Sequence, residues 1–211
     1  DEDTAVFGRE AVAREAFGHA SVRAAYDELG AAGFYEAYGA EYRNPHSEEL
    51  GEAMAMGLDE WHGRGALPSP LGRVLDLACG SGEASEALLA WVSSRSLPLL
   101  ELEAADPYTH EAYERRMSRR AQRWSFEDIA GGALDGKAIY DLVLCSFCLH
   151  LLNKSWLKLT LSALARVGRA MLVATPHKRP IIEPSTGWGQ VGEVVHARVR
   201  VRLYISHTTA E

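Results

Sequence analysis

Cysteine is scarce in this sequence, with three residues in a chain of 211. A small, odd number of cysteines without a secretory signal predicts reduced thiols rather than a disulfide framework. We therefore expect an intracellular protein, in the cytoplasm. The chain starts with Asp1 rather than methionine, so an organelle matrix reached after removal of a leader stays open as an alternative.

Long hydrophobic runs are also missing. No uninterrupted apolar stretch approaches the roughly 18 residues that a membrane span needs. The longest candidate, residues 140–152, is interrupted by Asp141, Ser146 and His150. We therefore expect no membrane among the partners of this protein.

Basic residues are outnumbered by acidic ones, 22 to 29, which gives a formal net charge of −7. This balance disfavours nucleic acid as a partner, because binding phosphates needs positive charge. The charge is also uneven, since residues 1–70 carry 5 basic and 14 acidic side chains, and residues 71–211 carry 17 and 15. The turn-rich connector 63–70 separates the two parts. We predict an acidic, helical N-terminal segment, 1–70, followed by a larger core, 71–211.

Short apolar strands alternate with helical patterns in the core. This alternation predicts an α/β fold with a doubly wound, mostly parallel sheet. The predicted strands are 74–77, 99–105, 124–126, 141–145 and 170–174, and the predicted helices include 110–123 and 156–167. A long strand over 197–205, with one apolar and one basic face, is expected near an edge of the sheet.

The most specific pattern is Asp76-Leu77-Ala78-Cys79-Gly80-Ser81-Gly82, which directly follows the first predicted strand. Small residues in such a turn let a ligand approach the backbone closely. The helix that follows presents free N–H groups and the positive end of its dipole. An acid at the end of the strand makes the pattern far more specific than a lone G-x-G.

Residues 71–175 resemble the class I S-adenosylmethionine-dependent methyltransferases, whose fold is Rossmann-like. The resemblance implies methyl transfer, with S-adenosylmethionine as cofactor, S-adenosylhomocysteine as product and no metal. The acceptor is not identified, and we favour a small molecule. The N-terminal segment then corresponds to the helical lid of related enzymes.

The resemblance also implies a role for individual residues. The glycine motif would hold the methionine end of the cofactor, and the end of the fourth predicted strand would lie under the reactive methyl group. His150 would act as a base or orient the substrate, and Arg43 is a hypothesis for pairing with the methionine carboxylate. The implied cofactor residues are Asp76, Ala78, Cys79, Gly80 and Gly82 in the motif, Asp106 and Pro107 at the ribose, Asp128 and Ile129 at the adenine, and Cys145 and Ser146 under the methyl group.

Two other functions remain open. Gly80-Ser81-Gly82-Glu83-Ala84-Ser85 also fits a dinucleotide turn of an NAD-dependent oxidoreductase, although Ser85 stands where that fingerprint has Gly or Ala. The chain could instead bind S-adenosylmethionine without catalysis, as a scaffold in a larger assembly. Residues 181–211 leave room for one clear strand and a short second one, which suggests an incomplete sheet, so we expect a protein partner at this C-terminal sheet edge.

Overall fold

The computed structural model describes residues 33–35, 39–98 and 101–209. Six strands and five α-helices follow one another along this part of the chain, with short 3₁₀ turns between some of them. Their bounds are α1 (Ser47–Gly63), β1 (Arg73–Leu77), α2 (Glu83–Ser94), β2 (Glu101–Ala105), α3 (His110–Met117), α4 (Phe126–Ala130), β3 (Tyr140–Ser146), α5 (Lys154–Val167), β4 (Gly168–Thr175), β5 (Trp188–His196) and β6 (Val199–Ser206).

The strands form one sheet in the order β2-β1-β3-β4-β6-β5. The first four are parallel, and β6 is antiparallel to both β4 and β5. Successive side chains of a strand point to opposite faces, so the buried residues of each strand divide between two cores. Val74, for example, packs with α1 and α2, whereas Leu75 packs with α4 and α5. The predicted α/β fold with a mostly parallel sheet, covered by helices on both faces, is therefore confirmed.

Helix α1 belongs to one of these cores. Leu50, Met54, Leu58 and Trp61 are fully buried on it, and they contact α2 and the last two strands. Half of the predicted lid, residues 1–32 and 36–38, lies outside the described residues. The division at residue 70 thus stays a prediction, although α1, the last helix of the predicted lid, packs on the core.

The C-terminal end of the sheet differs from the sequence prediction. Instead of one strand near the edge there is an antiparallel pair, because Ala197 and Arg198 both adopt positive φ (43° and 69°) and reverse the chain in a tight hairpin. Strand β6 lies inside the sheet and β5 forms its edge. The incomplete sheet that suggested a protein partner at this edge is not observed, and that partner remains a prediction.

Two further predictions were wrong in their details. Residues 124–126 form no strand, because Ser125 caps the helix that begins at Phe126, and only Gln122 makes an isolated bridge to Ala105. Helix α3 ends at Met117 rather than at residue 123, since Ser118 takes the left-handed conformation. No helix among the described residues has the length and hydrophobicity that a bilayer crossing requires.

Candidate functional site

A cavity of about 260 Å³ opens at the carboxyl ends of β1, β2 and β3. Open α/β sheets bind ligands at this edge. Of the residues predicted from sequence, six line the cavity: Ala78, Cys79, Gly80, Asp106, Pro107 and Ser146. The other seven do not, and they are Arg43, Asp76, Gly82, Asp128, Ile129, Cys145 and His150.

The loop between β1 and α2 forms the floor of the cavity. Ala78 and Gly80 both have positive φ, 55° and 59°. A Cβ on Gly80 would lie 3.1 Å from the ring of Tyr42 and 3.4 Å from Oε2 of Glu83, so a side chain there would crowd both groups. Gly82 serves packing instead, because its Cβ would lie 2.6 Å from Met117 of α3. The loop therefore keeps its backbone open to a ligand at Gly80.

Asp106, at the end of β2, is held rigidly beside this loop. Its Oδ1 accepts the backbone N–H groups of Tyr108 (2.9 Å) and Thr109 (2.8 Å), and its Oδ2 accepts that of Gly80 at 3.3 Å. The bond to Gly80 is the longest of the three, so Oδ2 is the oxygen with the most capacity left for another donor. The carboxylate is thus placed to accept hydrogen bonds from a ligand such as a ribose.

Asp76 lies behind the cavity wall, with no exposed surface. Its Oδ2 accepts a 2.6 Å hydrogen bond from the hydroxyl of Ser85, and Oδ1 has no partner among the described residues. Burial raises the pKa of this carboxyl from 3.8 to about 7, against the lowering effect of the Ser85 hydrogen bond. Asp76 therefore contacts the first turn of α2 through Ser85 and does not reach the cavity.

Glu83 is a cavity residue that sequence analysis missed. It is the first residue of α2 and is only 6% exposed. Its Oε1 accepts the backbone N–H of Asn44 at 2.9 Å and the hydroxyl of Ser81, and it pairs with Nη1 of Arg116 at 3.1 Å. The signal in the sequence was its position directly after Gly82, at the start of a helix.

The side chains at the cavity wall carry negative charge only. Among the described residues that line the cavity, Glu83, Asp106 and Glu127 are acidic and none is Lys, Arg or His. Aromatic rings from several elements complete the wall: Tyr35, Tyr42, Tyr108, Trp124, Phe126, Phe147 and Trp156. Such a wall suits a ligand with positive charge and aromatic or apolar surface.

Asp128 and Ile129, predicted at the adenine, have other contacts. The Asp128 carboxylate accepts the N–H and the hydroxyl of Ser125, while the Ser125 hydroxyl accepts the N–H of Asp128. This capping box also lowers the pKa of the Asp128 carboxyl through the hydrogen bonds from Ser125. Ile129 is fully buried in the core. The cavity wall in this region is instead formed by Trp124, Ser125, Phe126 and Glu127.

The three cysteines are all reduced and buried. Cys79 and Cys148 line the cavity, and Cys145 lies behind them in β3. A hydrogen bond with Cys145, which stabilises the protonated Cys148 thiol, together with burial, holds the pKa of this thiol well above its usual value. No three His, Cys, Asp or Glu side chains in the described part of the chain cluster closely enough to hold a metal ion.

His150 and Arg43 lie at the periphery. The ring of His150 contacts that of His177, with centroids 4.8 Å apart, and its Nδ1 is buried without a partner among the described residues. Burial, and secondarily His177, lowers the pKa of His150 to about 4, so the ring is neutral at pH 7. Arg43 is exposed. Neither residue lines the cavity, so their predicted roles stay predictions.

Comparisons with known proteins agree with this architecture. The chain is 38% identical over 186 residues to an uncharacterised protein of Schizosaccharomyces pombe, with 74% of each chain covered. No family model matches the chain. It is similar in structure to a magnesium protoporphyrin IX methyltransferase from Synechocystis, crystallised with S-adenosylmethionine (TM-score 0.51, 16% identity, 87% of this chain and 96% of that one). It is also similar to an O-methyltransferase family protein from Burkholderia thailandensis (TM-score 0.54, 18% identity, 90% and 63%).

Proposed function

Because the chain belongs to one family with the uncharacterised fission yeast protein and has the fold of class I S-adenosylmethionine-dependent methyltransferases, we propose that it transfers a methyl group from S-adenosylmethionine to a small-molecule acceptor. The charge of the cavity carries this proposal. S-adenosylmethionine brings a sulfonium, an ammonium and a carboxylate group, so its net charge is positive, and the described wall offers three carboxylates and no cation. An NAD diphosphate would bring two negative charges to the same wall, so the oxidoreductase alternative is disfavoured.

The residues present fit the cofactor at both of its ends. We propose that Asp106 accepts the ribose hydroxyls, since its Oδ2 has acceptor capacity left, and that Pro107, Phe126 and Trp124 contact the adenine. The loop from Ala78 to Gly80 provides close backbone approach for the methionine end. Behind the loop, Asp76 accepts the hydrogen bond of Ser85 and so ties β1 to the first turn of α2.

When bound, the cofactor supplies a methyl group already activated by the positive sulfur. The chain's own residues then have to align the acceptor with it and exclude water. Tyr35, Tyr42 and Tyr108 form an aromatic group over the loop, with Tyr35 edge-on to Tyr42 at 5.4 Å and stacked on Tyr108 at 6.4 Å. We propose that this group excludes water from the cavity.

His150 remains our candidate for orienting the acceptor. Its neutral ring at pH 7 can accept a hydrogen bond from an acceptor hydroxyl or amine. His150 contacts His177 and does not line the cavity, so it would act on an acceptor that extends beyond the cavity wall. We expect His150→Phe to slow methyl transfer while leaving the affinity for S-adenosylhomocysteine within about twofold.

Calorimetric titration with S-adenosylhomocysteine and, in parallel, with NADH tests the cofactor. We expect binding of the first in the range of about 1–100 μM and no binding of the second. The protein is then incubated with methyl-tritiated S-adenosylmethionine and separate small-molecule, protein and RNA fractions of a cell extract. Label in the small-molecule fraction supports the proposal, and label in protein or RNA would contradict the acceptor class. Binding without transfer to any fraction would instead support the scaffold alternative.

A further inference from the structure

The carboxylates around the glycine loop differ in their exposure to the cavity and in how many of their oxygens already accept hydrogen bonds. Asp76 is fully buried behind the wall, and both oxygens of Asp106 already accept backbone N–H groups. Glu127 lies in α4, at the opposite wall beside Phe126. Glu83 and Asp106 both stand beside Gly80, and of these two Glu83 is the one whose described donors all reach a single oxygen.

The two oxygens of Glu83 have different surroundings. The donors described above, from Asn44, Ser81 and Arg116, all reach Oε1. Oε2 instead lies 3.4 Å from the place that a Cβ would take on Gly80, the residue whose backbone faces the cavity. One oxygen thus fixes the side chain, and the other is directed to the loop.

We propose that Glu83 selects the cofactor by its α-amino group, whose ammonium donates a hydrogen bond to Oε2. The inference rests on the proposed function and adds a specificity residue to it. An ammonium group is a cation with several donors, and a fixed carboxylate in a buried wall binds it more strongly than a neutral amide would. In this assignment Glu83 contacts the amino-acid end alone, so it should discriminate there and not at the adenine or the ribose.

Three ligands and two variants test this assignment by calorimetry. The ligands are S-adenosylhomocysteine, its des-amino analogue and 5′-methylthioadenosine, which lacks the whole amino-acid end. The variants are Glu83→Gln and, as a matched control, Glu86→Gln. Glu86 lies on the same helix and also pairs with Arg116, but its side chain is 58% exposed.

We expect Glu83→Gln to weaken S-adenosylhomocysteine binding by about tenfold or more, and to leave the des-amino analogue and 5′-methylthioadenosine within about twofold. Glu86→Gln should leave all three affinities within about twofold. A Glu83→Gln variant that loses affinity for the three ligands equally, or for none of them, would overturn the assignment.

The unmodified protein provides a second measurement if Glu83→Gln does not fold. We expect it to bind the des-amino analogue at least about tenfold more weakly than S-adenosylhomocysteine, and equal affinities would overturn the inference. These results are distinct from failure of the proposed function, in which the unmodified protein would not bind S-adenosylhomocysteine at all.

Discussion

At the cavity, Glu83 pairs with Arg116 through Oε1 and directs Oε2 to Gly80, as Asp106 does with its Oδ2, whereas in the β5–β6 hairpin both oxygens of Glu193 are paired with arginines. There the buried Arg202 pairs with Glu193 at 2.6 Å, and its other nitrogens donate to the carbonyls of Pro180 and Lys178. The comparison shows that buried charged side chains have two different roles in this protein. In the hairpin they hold chain segments together, and at the cavity they leave acceptors available to a ligand.

Removing the arginine of the hairpin should have the largest effect on stability. Arg202→Ala leaves two carbonyls without their donor and Oε2 of Glu193 without its partner, while Arg200 still pairs with Oε1, so we expect the free energy of unfolding to fall by about 3 kcal/mol. Urea unfolding measures this change. Arg200→Ala removes a more exposed partner of the same Glu193 and should cost less than about 1 kcal/mol. Equal losses in the two variants would contradict the comparison.

Asp76 should make stability depend on pH. Its pKa is about 7 in the folded protein and near 3.8 in the unfolded chain, so the folded state holds the proton more tightly. The contribution of Asp76 to stability is then largest at low pH and is lost as the pH rises towards 7, by about 1 kcal/mol per pH unit. Unfolding of the protein and of Asp76→Asn at pH 5 and pH 8 measures the difference. A difference between the two proteins that does not change with pH would rule out this titration.

Asp106→Asn should weaken S-adenosylhomocysteine binding by about tenfold. Asparagine retains one acceptor oxygen for the backbone N–H groups but loses the negative charge and the second acceptor. Calorimetry measures the affinity, with Glu111→Gln as a control at an exposed position of α3 outside the cavity wall, where we expect a change within about twofold. If the two variants behaved alike, Asp106 would have no special role at the ribose.

Arg43→Ala should have the smallest effect. Because Arg43 is exposed and does not line the cavity, we expect the affinity for S-adenosylhomocysteine to change by less than about twofold. The same calorimetric titration provides the measurement. A loss of about tenfold would instead support the pairing with the methionine carboxylate that the sequence predicts.

Features encoded by neighbouring residues were predictable from sequence. The strand, loop and helix around Asp76 and Gly80 depend on a short local pattern, and the structure has them where the pattern predicts. The edge strand β5 was missed, because Gly189 and Gly192 interrupt its alternation and a bulge shifts its register. The hairpin itself depends on positive φ at Ala197 and Arg198, which neither residue type favours.

The location of the site could be predicted from sequence more fully than the orientation of the side chains around it. Asp128 was expected at the adenine, but a hydroxyl three residues earlier engages its carboxylate in a helix cap. The orientation of Glu83 depends on Asn44 and Arg116, which are distant along the chain and approach it only in the folded protein. Pairwise contacts of this kind leave no local pattern in a single sequence.

A crystal structure of the protein with S-adenosylhomocysteine tests the central claim most directly. The account predicts the nucleoside in the cavity, with its ribose hydroxyls within hydrogen-bond distance of Asp106 and its amino-acid end over the loop at Gly80. A cavity that stays closed by the tyrosines, or a ligand bound elsewhere on the molecule, would contradict it.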